Sequence, residues 1–142
     1  MFAHVVPVKG LGADRYAVEK LRRDIIWLGY RRIIVRTDNE PAIVALLHGV
    51  LQTLKIDVVD QAMPDHPPAY DSKANGGIEN AVRQVQGILR THLSCLQSRL
   101  QCRIPADHPL MAWLVQHAAW TLTIRSRGKD GRTAYELSLI HI

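Results

Sequence analysis

Ile33-Ile34-Val35-Arg36-Thr37-Asp38-Asn39-Glu40-Pro41 is the stretch on which the reading of the fold turns. Three β-branched residues in succession favour an extended chain, because branching at Cβ restricts χ1 and suits a pleated surface. Thr37-Asp38-Asn39 then supplies turn chemistry, and Pro41 suits the first turn of a helix, where its missing N–H costs nothing. A strand, a turn and a helix are expected in that order. Downstream, Ile43, Leu46, Leu47, Val50, Leu51 and Leu54 recur at three and four and give that helix a buried stripe. Upstream, Ala17, Val18, Leu21, Ile25 and Leu28 do the same for a helix with Asp14 as N-cap and Gly29 as its stop.

The segments farther out extend this alternation. Phe2 to Val8 is a valine-rich run with Pro7 near its end, read as an edge strand that Gly10 and Gly12 terminate. Ile56 to Val59 gives a third strand, so the first part of the chain reads β-α-β-α-β, the pattern of an α/β domain. Residues 60–77 hold Pro64, Pro67, Pro68, Gly76 and Gly77 without periodicity, which predicts a long loop. Ile78, Val82, Val85, Leu89, Leu93, Leu96 and Leu100 then predict a long helix whose stripe needs a sizeable partner surface. A last helix spans Leu110 to Thr123, with Met111, Trp113, Leu114, Ala118 and Leu122 read as core.

Composition narrows the function classes. A chain of 142 residues with 47% hydrophobic and 22% charged residues suits one globular domain. No run approaches the roughly 18 consecutive apolar residues of a membrane span, and the first seven residues lack a basic segment and a cleavage site, so no membrane association and an intracellular location are expected. Cys95 and Cys102 suit neither a disulfide framework nor a zinc knuckle, and the seven histidines lack metal-ligand spacing. Charge is uneven. Through Glu79 ten basic residues balance ten acidic ones (10 − 10 = 0), whereas from Asn80 onward eight basic residues face three acidic ones (8 − 3 = +5). A cationic second half is what a polyanion-binding face produces, because Lys and Arg release counterions from phosphates.

Two acids could carry chemistry. Asp38 stands at the carboxyl end of an expected central strand, where open α/β sheets place reactive groups; a turn or helix-capping role is its structural alternative. Glu79 opens the long helix directly after Gly76-Gly77, and its alternative is a first-turn acid favoured by the helix dipole.

With their surroundings, these residues resemble the integrase core of retroviruses and long-terminal-repeat retrotransposons. The resemblance rests on Ile34-Val35-Arg36-Thr37-Asp38-Asn39-Glu40-Pro41-Ala42, on Ser72-Lys73-Ala74-Asn75-Gly76-Gly77-Ile78-Glu79-Asn80, and on Gly131-Arg132-Thr133-Ala134-Tyr135-Glu136, in the family's order over nearly the whole chain. It implies an RNase H-like α/β fold, a mixed sheet flanked by helices. It also implies an activity, the joining of element DNA 3′ ends to target DNA, with Asp38 and Glu79 as catalytic and metal-binding carboxylates for Mg²⁺ or Mn²⁺. Forty residues lie between the two acids, a spacing that varies among relatives. Two-metal transesterification needs hard oxygen ligands that bracket the attacking and leaving oxygens. DNA is the implied partner, a homo-oligomer the implied state of the intact parent, and the nucleus the implied compartment.

The family's first Asp lies on a strand ahead of the one read at Phe2 to Val8. No acid precedes Asp14, and Asp14 falls at a helix start. The expectation is therefore a partial core over residues 1–136, with N-terminal strands missing, inactive alone in strand transfer. Residues 137–142 are set aside as foreign to the fold. On the long helix Glu79, Arg83, Gln86 and Arg90 fall at i, i+4, i+7 and i+11 on one face. By the resemblance Arg83, Gln86 and Arg90, with Lys73 and Asn75 before the helix, contact nucleic acid; a solvated face with a weak Glu79–Arg83 pair is the alternative. Two other functions fit the same residues: a catalytically dead nucleic-acid-binding module, and another RNase H-like nuclease or transposase.

Overall fold

A computed structural model of the chain describes residues 1–7, 15–54, 59, 61–65 and 76–139. The chain divides into two compact units, one of Val6–Gly76 and one of Met1–Val5 with Gly77–Ile142.

In the first unit the elements are α1 (Tyr16–Leu28), β1 (Arg32–Arg36), α2 (Pro41–Leu54) and β2 (Gln61–Asp65). Helix α1 ends where expected, at Gly29, whose φ of 72° lies in the left-handed region that glycine enters without a Cβ penalty. Its N-cap is Arg15, at φ 53° and without a side-chain cap bond, rather than Asp14, which lies outside the described residues. Pro41 is the first residue of α2, as its fixed φ favours. Strands β1 and β2 run parallel, Arg32 opposite Gln61 through Arg36 opposite Asp65, and α2 makes the crossover that parallel strands require.

Strand β2 corrects the sequence reading. The third strand was expected at Ile56 to Val59; residues 55–58 lie outside the described residues, Val59 belongs to no strand, and β2 instead occupies part of the stretch read as loop. Pro64 obscured it. Gln61 N donates to Arg31 O at 3.2 Å, and in a parallel ladder alternate residues address the same neighbour. Met63 and Asp65 therefore also turn their amides to β1, while Pro64 turns its donorless nitrogen away, where a strand tolerates proline.

The core of this unit is apolar and local. Val18 and Ile25 of α1 meet Val50 and Leu54 of α2, and Leu21, Leu46, Leu51 and Ile33 of β1 pack against them. Arg32, Ile34, Arg36 and Asp38 are exposed while Ile33, Val35 and Thr37 are half-buried, so the period-2 alternation runs past the strand end. Ile34 is 69% exposed and its register partner Met63 47%. Among the described residues the sheet is this parallel pair, so the α/β class stands, and the strand expected at Phe2 to Val8 is absent over residues 2–7. A strand needs a neighbour for its ladder. Met1 bonds to a helix side chain instead, its nitrogen donating to Thr123 Oγ1 at 2.7 Å.

The second unit holds α3 (Gly76–Leu100), α4 (Leu110–Arg125) and α5 (Ala134–Leu139). The long helix forms as its periodicity predicts, but no residue of α3 is buried. Val85, Leu89, Leu93 and Leu96 are half-buried and Ile78, Val82 and Leu100 exposed. The 25 residues of α3 outrun the 16 of α4, so much of the stripe has no helix of matching length beside it in this unit. On α4, Leu114 and Ala118 are buried as expected and Met111 and Leu122 half-buried. Trp113 is not core: it is 55% exposed and stacked on His117 at 4.7 Å.

Gly131-Arg132-Thr133-Ala134-Tyr135-Glu136 acquires a local physical meaning. Gly131 takes φ 75° in a tight turn closed by Gly128 N donating to Arg132 O at 2.8 Å. Thr133 and Glu136 then form a capping box for α5: Glu136 N donates to Thr133 Oγ1 at 3.2 Å, and Thr133 N donates to Glu136 Oε2 at 2.7 Å. Tyr135 meets Trp120 of α4 edge to face at 5.7 Å. Leu137, Ser138 and Leu139, set aside from the sequence, continue α5.

The Thr133 backbone amide, then its hydroxyl, hold the Glu136 carboxyl below the ordinary carboxylate range, with Arg127 and Arg132 assisting. A folded-state pKa below the unfolded one contributes stability that is present above the unfolded value and is lost as pH falls through the folded value. Acid titration followed by near-ultraviolet circular dichroism should therefore show α5 loosening below the ordinary carboxylate range, and Glu136→Gln should remove that step. Thr133→Ala should cost about 1 kcal/mol in urea unfolding, the typical loss for an N-cap hydroxyl.

Candidate functional site

The ends of β1 and β2 carry Arg36, Asp38 and Asp65. Asp38 is exposed just past the strand, at the carboxyl end of the parallel pair where expected, and its Oδ1 accepts from Asn39 N at 2.8 Å. That bond is a local turn contact; it holds the carboxylate against its own backbone, ahead of α2. Beside it, Asp65 at the end of β2 receives Arg36: Nε at 2.8 Å and Nη2 at 2.6 Å both address Oδ2. Thr37 N reaches Asp65 O at 3.4 Å, one more rung beyond the formal strand. Thr37 Oγ1, on the inward face, is buried and has no hydrogen-bond partner among the described residues.

Arg36 and Asp65 were not singled out from the sequence. Arg36 stood inside the quoted stretch as a strand residue, and Asp65 fell within a run whose prolines read as loop. The signal that could have found the pair is the parallel register itself, which sets residue 36 against residue 65.

Glu79, in the second unit, lies in the first turn of α3 and is exposed, as the helix dipole favours. Arg83 Nη2 lies 3.7 Å from its Oε2, with side chains 74% and 60% exposed. Arg83, Gln86 and Arg90 are exposed on the same helix, and Arg90 Nε donates to Gln86 O at 3.2 Å. The structure thus places Glu79, Arg83, Gln86 and Arg90 together along one solvent-facing helix surface, and Asp38 on the sheet of the other unit. Lys73 and Asn75 lie outside the described residues.

Asp38 in the first unit and Glu79 in the second are exposed carboxylates, oxygen donors of the kind Mg²⁺ takes, and among the described residues each has a weak or local partner. Asp65 is already neutralised by Arg36. No group of three His, Cys, Asp or Glu side chains able to hold a metal ion occurs among the described residues. Cys95 and Cys102 are free thiols. No helix among the described residues is long and apolar enough to cross a membrane.

A buried hydroxyl without a partner carries a desolvation penalty of about 1–3 kcal/mol. Thr37→Val, which keeps the branched shape, should therefore leave the urea midpoint unchanged or raise it, whereas a fall would show that the hydroxyl has a partner in solution. The Glu79–Arg83 pair is exposed, so Arg83→Ala should change unfolding free energy by no more than about 0.5 kcal/mol.

Comparison with known proteins leaves the functional reading to these residues: no family model matches the chain, and no curated protein matches it.

Proposed function

We propose that this chain is part of an RNase H-like polynucleotidyl transferase core of the retroelement-integrase type, acting in DNA integration. The observation that carries the reading is Asp38 at the carboxyl end of a parallel β-α-β unit, exposed and tied only to the next residue's amide. Open α/β sheets present reactive groups at that end. Glu79, exposed in the first turn of the longest helix, supplies the second carboxylate.

In this reading Asp38 and Glu79 are the catalytic carboxylates and would hold Mg²⁺ or Mn²⁺. Bound divalent ions supply Lewis acidity to the phosphodiester, stabilising charge on the attacking and leaving oxygens. The 3′-hydroxyl of the element end attacks a target-strand phosphorus, a new P–O bond forms, and the bond to the target's own 3′-oxygen breaks. The protein's part is positioning, since little covalent chemistry is required of it. Arg83 and Arg90 neutralise backbone phosphates, Gln86 offers an amide to a sugar or base edge, and by the resemblance Lys73 and Asn75 also contact nucleic acid. DNA is the partner, and a homo-oligomer acting in the nucleus is the working form of the intact parent.

The experiment is a pair of titrations on the chain. Mn²⁺ binding by calorimetry should weaken at least tenfold in Asp38→Asn and in Glu79→Gln; equal affinity in wild type and both variants would remove the metal-dependent reading. Duplex DNA binding as a function of salt should lose about 0.9 from the slope of log affinity in Arg83→Ala, one phosphate's share, with Arg99→Ala as a control farther along the helix. DNA binding that keeps this slope change while Mn²⁺ affinity ignores both acids would favour the nucleic-acid-binding module without chemistry.

A further inference from the structure

We propose that Arg36 is a phosphate-binding residue and that Asp65 is its resident stand-in anion, holding the guanidinium beside Asp38 until a phosphodiester replaces the carboxylate. The inference rests on the integrase reading for its substrate, DNA, but its chemistry needs only a backbone phosphate.

Geometry at the strand end supports each part. Arg36 addresses Asp65 with Nε and Nη2, the two-pronged edge of the guanidinium that matches planar or tetrahedral oxyanions. Both prongs fall on the single oxygen Oδ2, so the fork is occupied without the parallel two-oxygen match that makes such pairs strongest. The side chains are 52% and 38% exposed, a setting in which an ion pair contributes little and is screened by salt. Exchange of carboxylate for phosphate is therefore inexpensive. A phosphate offers two oxygens to the same two nitrogens.

Placement makes the exchange useful. Arg36 and Asp38 are both exposed on one side of an alternating chain, with half-buried Thr37 between them. Two residues of extended backbone span roughly 6.5 Å, about the distance between successive phosphates on a strand of nucleic acid. A phosphate held by Arg36 thus sits about one nucleotide from whatever Asp38 engages. Asp65, released, adds negative charge next to the fork and opposes a second anion there, so it also sets the affinity. The pair additionally closes the parallel register at Arg36 opposite Asp65, and the experiment must separate that clamp from the phosphate role.

The test uses the whole chain, a short fluorescent duplex DNA and a salt series. Arg36→Ala should weaken binding and flatten the slope of log affinity against log salt by about 0.9, whereas Arg36→Lys should keep the slope but bind more weakly, because charge survives and the fork does not. Asp65→Asn should tighten binding severalfold, and that gain should shrink in the Arg36→Ala background, a coupling that a double-mutant cycle reads. Urea unfolding of every variant reports the clamp. Slopes and affinities equal to wild type in Arg36→Ala and Asp65→Asn would overturn the proposal, whatever their unfolding midpoints, as would a wild-type chain that binds no duplex. Mn²⁺ titration separates the two readings: Mn²⁺ affinity dependent on Asp38 with an unmoved Arg36 slope sinks the phosphate role alone. A flattened Arg36 slope with Mn²⁺ affinity indifferent to Asp38 and Glu79 keeps it and sinks the integrase assignment.

Discussion

Parallel pairing of β1 with β2 is the constraint from which the first unit follows. Parallel strands cannot be joined by a tight turn, so α2 must carry the chain back, and a crossover helix must lie against the pair it connects. Burial of Val50 and Leu54 against Val18 and Ile25 then ties α1 to α2, with Ile33 packed on the cluster from β1. A two-stranded ladder is marginal in water alone, so its persistence depends on this apolar layer. The same pairing brings the ends of β1 and β2 together, which is why Arg36 meets Asp65, with Asp38 two residues farther along the chain. The residues proposed for chemistry are thus a by-product of the pairing rather than its cause.

The uncovered sheet face is the counterpart of that arrangement. Parallel sheets are ordinarily covered on both faces, and their strands read as continuous apolar runs. Here Ile34 and Met63 lie opposite each other on the exposed face, while Ile33, Val35 and Ala62 alternate to the half-buried side. The continuous Ile33-Ile34-Val35 run is therefore the composition of a two-faced strand with one face packed. Helix α3 has no such tension in its backbone, only in its surface: 25 residues with an apolar stripe that remains half-exposed. Its polar face, by contrast, is satisfied locally through Glu79–Arg83 and Arg90–Gln86 pairs of small energetic weight. Weak partners leave these side chains exposed to solvent.

Glu136 shows how a motif can be structural and recognisable together. Gly131, Thr133 and Glu136 recur at the spacing that a turn, an N-cap and a third helical residue require. The depressed carboxyl of Glu136 follows from the Thr133 amide, not from any ligand. The motif therefore marks the start of α5. It is independent of what happens at Asp38.

Local information in the chain determined four of the five described helices; α5, whose last residues were set aside, was not among them. Three-to-four periodicity, Pro41 and Gly29 fixed α1, α2, α3 and α4 to within a few residues, because helix signals are read within one or two turns. The strand ending before Asp38 was legible for the same reason, in three β-branched residues followed by turn chemistry. What the tertiary structure alone decided is pairing. Strand β2 lies in a proline-bearing stretch that becomes a strand only because Pro64 turns its nitrogen away from β1, and residues 2–7 belong to no strand. Asp65 reached Arg36 by that route, across 29 positions that carry no local trace of the contact. Periodicity is a property of one segment, whereas a ladder and an ion pair are properties of two, and only folding brings the second into range.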